Sequence, residues 1–245
     1  MPSDLHAVKA LVFDIFGTVV DWRGSLIREG LALQARLGVV ADWPALADAW
    51  RAGYQPAMAR VRSGARPWAT LDTLHRENLD SLLPSFGLGS LDTAAREHLV
   101  HAWHRLTPWP DSVPGLTRLR QRYTLATLSN GNVALLVNMA KAAGLPWDAV
   151  LSAELFGHYK PDAEVYRGAA RLLGLAPQQL MMVAAHPSDL VAAQAAGLKV
   201  AYVPRPDEHG PGGWMEPVGD ARFDVQAASL TALAKALGMA DDGPR

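Results

Sequence analysis

Apolar and polar positions along the chain follow two rhythms, and the places where one gives way to the other outline the fold. The first apolar run, ALVFDIFGTVV over residues 10–20, meets no polar side chain before Asp14. Leu11, Val12 and Phe13 therefore read as a strand buried on both faces, because a strand covered on one face would alternate. Asp14 falls where that strand ends, and Gly17 with Thr18 follows as a turn. From residue 21 to about residue 103 the pattern becomes helical: Leu26, Gly30, Leu33 and Leu37 recur at helical spacing. Residues 43–61 read as a second helical stretch, in which Pro44 suits a first turn and Pro56 implies a kink or break. Residues 70–83 form a third stretch, stopped by Pro84, and Asp92 can cap a fourth over 93–104. With no convincing strand, this segment cannot join a sheet and is predicted to be a helical insert after the first strand.

Pro108, Pro110 and Pro114 mark the return to the core, after which strand and helix alternate. Strands are predicted over 123–128, 149–152, 180–184 and 199–203. Helices are predicted over 116–122, 133–143, 162–173, 189–196 and 230–237, three of them closed by Gly144, Gly174 and Gly197. Such alternation argues for an α/β fold with a doubly wound parallel sheet and right-handed crossovers. The predicted division is a core of residues 1–19 and 107–245 with a helical domain of 20–106. Residues 205–217, rich in Gly and Pro, read as a surface loop that would close over a site or form a dimer contact.

Polar groups follow the predicted strands at four places: Asp14, Ser129-Asn130, Lys160 before Pro161, and His186 to Asp189. Strand ends on one edge of an open α/β sheet converge, and ligands bind there. A carboxylate, a hydroxyl–amide pair, an ammonium and a second carboxylate should therefore meet, which supplies a nucleophile, a counter-charge and a candidate base. Each has a plainer alternative. Asp14 would end a strand in its own turn, Lys160 would be a surface lysine, and Asp189 would cap a helix. Asn130 would be a turn residue before Gly131.

The set FDIFGT, LSNG, YKPDAEVY and VAAHPSDLVAAQAAG, in this order and at these spacings, resembles the haloacid dehalogenase superfamily. The resemblance covers nearly the whole chain and is closest to the type II 2-haloacid dehalogenases. It implies a Rossmann-like core with the helical insert as cap, no cofactor and no metal. It also implies hydrolysis of short 2-haloacids to 2-hydroxy acids through an ester on Asp14. Lys160 would keep Asp14 ionised and Asp189 would position or activate water. Thr18 and Ser129 would bind the substrate carboxylate or orient Asp14, and Asn130 would donate to the departing halide. Arg51, in AWRAGYQPAM, matches the cap arginine that faces the catalytic Asp, with Phe16 and Trp50 as walls of a halide pocket. Tyr166 would hydrogen-bond Asp14 or Lys160. His186 stands where better-known type II members carry Asn, and would replace hydrogen bonds lost with Ala184 or remain a loop residue.

Two departures separate the chain from the phosphatase branch of that superfamily. Phe16 stands where phosphatases have a second Asp, and Ala184-Ala185 stands where they have Gly-Asp. Phosphoryl transfer would thereby lose its acid and much of its Mg²⁺ coordination. Three alternatives stay open: a Mg²⁺-dependent phosphatase or phosphomutase, hydrolysis of a strained C–N bond by the same attack at carbon, and a binding protein that has lost catalysis.

Composition narrows the partners. Formal net charge is −1, so nothing draws the chain to nucleic acid or an anionic membrane. The absence of cysteine removes disulfides, thiol nucleophiles and zinc–thiolate sites. The first residues, MPSDLHAVKA, show no signal pattern and no apolar stretch approaches a membrane span, so a cytoplasmic protein is expected. The eight tryptophans are expected to pack the helical insert or a subunit contact of a homodimer.

Overall fold

The structure is a computed structural model that describes residues 5–239; the first four residues of the segment read above for a signal lie outside the described residues. Its centre is a six-stranded parallel sheet of β1 (Ala10–Phe13), β4 (Thr124–Ser129), β5 (Ala149–Ser152), β6 (Leu180–Ala184), β7 (Lys199–Tyr202) and β8 (Val225–Gln226). The spatial order is β5-β4-β1-β6-β7-β8. β1 lies between β4 and β6, and all four of its residues are buried. The period of two divides them between two cores. Leu11 and Phe13 pack on one face with Leu125, Met181 and Val183. Ala10 and Val12 pack on the other with Ala126, Met182 and Val200. Burial on both faces explains the unbroken apolar run.

The first face is covered by α6 (Ser112–Leu119), α7 (Val133–Ala143) and α10 (Leu230–Ala236); the second by α8 (Ala163–Leu172) and α9 (Pro187–Ala195). The chain leaves β1 toward β4 and β5, then returns to β6 on the other side. That reversal opens crevices at the C-terminal end of β1, where ligands bind in such folds.

Between residues 21 and 107 no strand joins this sheet. The segment holds α1 (Trp22–Leu37), α2 (Trp43–Ala52), α3 (Tyr54–Arg62), α4 (Leu71–Leu82) and α5 (Thr93–Val100). Side chains of Asp21, Asp42, Thr70 and Asp92 accept backbone N–H groups at four of the helix starts. The entering and leaving chain pair as a short antiparallel ribbon, β2 (Val20–Asp21) against β3 (Thr107–Pro108). Among the described residues no helix is long and apolar enough to cross a membrane.

Three details differ from the sequence reading. The stretch 43–61 breaks at Gly53, not at Pro56, which sits in the first turn of α3 where its missing N–H costs nothing. The helix expected over 116–122 begins four residues earlier and takes Pro114 into its first turn. The pairs β2–β3 and the edge strand β8 were not foreseen, because two residues are too few to show a period.

Candidate active site

Asp14 extends the β1 ladder by one bond, its N–H donating to Val183 O at 3.0 Å, so its carboxylate projects at the sheet edge. Three groups hold that carboxylate. Lys160 Nζ lies 3.0 Å from Oδ1. Thr18 Oγ1 donates to Oδ2 at 2.8 Å, and His186 Nδ1 lies 3.1 Å from Oδ2. Thr18 is itself fixed, accepting the Ala185 N–H at 2.9 Å. Lys160 also donates to Asp189 Oδ2 at 2.5 Å, and Tyr166 OH donates to Asp189 Oδ1 at 2.5 Å. The other ring nitrogen of His186 faces Glu208, with Nε2 3.0 Å from Oε2 and 3.2 Å from Oε1. Asp14, Lys160 and Glu208 are each 6–7% exposed, so these charges interact in a poorly screened environment.

The constellation floors a cavity of about 290 Å³. Phe16, Asn130 and Pro161 line it from the sheet side, Arg51, Tyr54 and Gln55 from the helical segment, and Glu208, His209, Trp214 and Glu216 from the loop after β7. The Arg51 guanidinium sits 4.2 Å from the Tyr54 ring centroid and 5.4 Å from that of Trp22. Its Nη1 is buried and has no hydrogen-bond partner among the described residues, so that donor is left unsatisfied.

Comparison with known proteins gives the family. Residues 8–197, most of the chain, match the haloacid dehalogenase-like hydrolases. The chain belongs to that family. A crystal structure of an L-2-haloacid dehalogenase superposes with a TM-score of 0.91 at 50% identity, covering 94% of this chain and 98% of that one. A crystal structure of a defluorinating L-2-haloacid dehalogenase gives 0.91 at 46% identity, covering 94% and 95%. (S)-2-haloacid dehalogenase 4A of Burkholderia cepacia is 29% identical over 204 residues, 82% of this chain and 85% of that protein.

In this haloacid dehalogenase-like hydrolase the sequence-derived residues divide into three groups. Asp14, Thr18, Lys160, His186 and Asp189 meet in one hydrogen-bonded cluster. Phe16, Arg51 and Asn130 line the cavity. Asn130 also braces the main chain at Lys160, its Oδ1 accepting Lys160 N–H at 2.7 Å and its Nδ2 donating to Lys160 O at 3.4 Å. Trp50, Ser129 and Tyr166 do not line the cavity. Trp50 is turned into the helical core, donating to His75 O at 2.9 Å and packing edge-on to Trp103. Ser129, the last residue of β4, is fully buried and accepts the Gly131 N–H at 3.1 Å. Tyr166 reaches Asp189, not Asp14 or Lys160. Asp189 does not cap its helix: it lies in the first turn of α9 with both carboxylate oxygens engaged. Thr18 is fully buried beneath Asp14, which suits it to orient that carboxylate and not to bind substrate.

Sequence reading missed Glu208. Its loop carries no period, and the one signal was the acidic pair Asp207-Glu208 amid Gly and Pro. Long-range contacts place it. Arg205 bonds Asp111 with both terminal nitrogens, at 2.7 and 3.0 Å, and donates to Thr18 O at 2.9 Å. Glu208 N–H then donates to Arg205 O at 3.1 Å.

Electrostatics follow from the contacts. Burial alone would raise the Asp14 pKa, but Lys160 and His186 outweigh it and hold the carboxyl well below its usual range. Burial would lower Lys160, yet its two carboxylate partners push it up. Asp189 is shifted upward by burial and by the nearby Asp14 charge, against the pull of Lys160. His186 is pushed up to about 10, burial being overcome by hydrogen bonds to Asp14 and Glu208. With a carboxylate facing each nitrogen, the resting ring is an imidazolium donating twice.

The His186 shift predicts a pH signature. A group whose folded pKa exceeds its unfolded value stabilises the fold fully below about 6.5. That contribution is lost as pH rises through about 10. The thermal midpoint should therefore fall from neutral pH toward that value, and His186→Asn should flatten the fall. Parallel profiles for the two proteins would contradict the imidazolium assignment.

Proposed function

We propose that this hydrolase dehalogenates short 2-haloalkanoic acids, with a preference for the (S) enantiomer that the relatives' names carry, giving 2-hydroxy acid and halide. The observation that supports this most is the pairing of an ionised, desolvated Asp14 with Arg51 on the lining of one cavity. Arg51 would take the anionic end of the substrate or the leaving halide. A carboxylate oxygen of Asp14 would attack the halogen-bearing carbon, forming an ester and expelling halide, which leaves without a proton. Water would then attack the Asp14 carboxyl carbon, releasing the hydroxy acid and restoring the carboxylate. Lys160 keeps Asp14 charged, Thr18 fixes its plane, and Asp189 anchors the ammonium.

The residues do not suit the magnesium of the phosphatase branch. The Lys160 ammonium bonds both Asp14 and Asp189, and Phe16 and Ala185 stand where that branch has carboxylates. The deciding experiment is a halide-release screen over fluoro-, chloro- and bromoacetate and both 2-chloropropionate enantiomers, with Mg²⁺ or with EDTA. Halide and hydroxy acid in equal amounts, insensitive to EDTA, are expected. Mg²⁺-dependent phosphate release from p-nitrophenyl phosphate with no halide from any haloacid would overturn the reading.

A further inference from the structure

We propose that Glu208 is a positioning residue that makes His186 the base for ester hydrolysis, with alkylation of Asp14 as the trigger. This deepens the dehalogenase reading and rests on it. His186 bridges two carboxylates, Asp14 at Nδ1 and Glu208 at Nε2, at 3.1 and 3.0 Å. Glu208 cannot easily turn away. Its Oε1 also accepts Trp22 Nε1 at 3.0 Å, and its backbone is tied to Arg205. It reaches the ring across Gly17, where a Cβ would come within 2.2 Å of Oε1. Gly17 also has φ 83°, so the turn both needs glycine and leaves the opening that the carboxylate fills.

Consider what the ester does to this arrangement. Alkylation turns the Asp14 carboxylate into a neutral ester as the C–X bond breaks and halide departs. His186 loses one of its two anionic partners, and the Nδ1 proton is released to solvent. Glu208 still accepts from Nε2–H, so the neutral ring is fixed in the tautomer that presents a lone pair at Nδ1. That nitrogen faces the Asp14 carboxyl group. It takes a proton from the water that attacks the ester carbon, the alcohol leaves as hydroxy acid, and the imidazolium and carboxylate are restored. Summed over both steps, haloacid and water give hydroxy acid, halide and one proton. Asp189 is poorly placed for the same duty, since Lys160 and Tyr166 occupy its oxygens.

The test is a quenched-flow single turnover of (S)-2-chloropropionate, following halide by ion chromatography and the protein adduct by intact and peptide mass. Glu208→Gln should give a halide burst near the wild-type rate, then slow in the steady state by about 10²-fold, the usual range for losing a general base. The ester should accumulate on the peptide carrying Asp14, and Glu208→Asp should recover part of the turnover. Adding Glu208→Gln to His186→Asn should cost little beyond His186→Asn alone, because one device is lost twice. Equal loss of burst and turnover, full additivity, or wild-type turnover in Glu208→Gln would each overturn the proposal. If Glu208→Gln does not fold, Glu208→Asp is read alone: partial ester accumulation supports the relay, and none overturns it. A wild-type protein that releases no halide would remove the dehalogenase reading and this proposal together, an outcome distinct from a variant with unchanged partition.

Discussion

Asp14→Asn should abolish halide release, lowering turnover by about 10⁴-fold or more, the scale on which removing a covalent nucleophile acts. The substitution changes almost no volume, so a loss would not be a packing effect. It exchanges an anion that accepts from Lys160, Thr18 and His186 for an amide that cannot accept at every one of those contacts. Lys160 and His186 would then share one fewer counter-charge, and the imidazolium should deprotonate at lower pH. The measurements are halide release and the mass of the protein after a single turnover. The variant should show neither halide nor adduct. Retained turnover would remove Asp14 from its role.

Lys160→Met should cost both activity and stability. The ammonium is buried and lies between two buried or nearly buried carboxylates, bonding both. Removing one partner of a buried ion pair typically costs about 3–5 kcal/mol, because the charge left behind is uncompensated. The pH dependence gives a sharper check. In the wild type Asp14 has a depressed pKa, so its contribution is present above the unfolded value near 3.9 and is lost as pH falls further. In Lys160→Met, Asp14 would lose its largest attraction and Asp189, already raised, would be raised further, so acidification should recover stability relative to wild type. Urea unfolding at neutral pH and at about pH 5 reads both effects. An unchanged midpoint at neutral pH would mean that the ammonium does not hold the site together.

The sheet was legible because its chemistry is local. The unbroken run at Leu11–Phe13, ended by Asp14 and a turn, read as a buried strand, and a glycine closed helix α7, which covers it. The gathering of Asp14 and Lys160, 146 residues apart, followed from one property of parallel sheets, that strand C-termini share an edge. Nearness in sequence misled in two places. Trp50 adjoins Arg51, but successive residues on a helix point about 100° apart, so one enters the core as the other faces the cavity. Ser129 adjoins Asn130 at a strand end, where side chains alternate. Glu208 was beyond local pattern altogether, because a clamp between Arg205 and Asp111, 94 residues apart, sets where its loop lies.

The two-residue ribbon of β2 and β3 brings the ends of the long helical excursion side by side. Paired strands stand about 4.8 Å apart. Any foreign segment whose termini meet at that separation could be spliced in at the same point without redirecting the chain beneath it. Trp22 and Arg51 would leave with the old segment, so such a graft would have to bring its own donor to Glu208 and its own cation to the cavity wall.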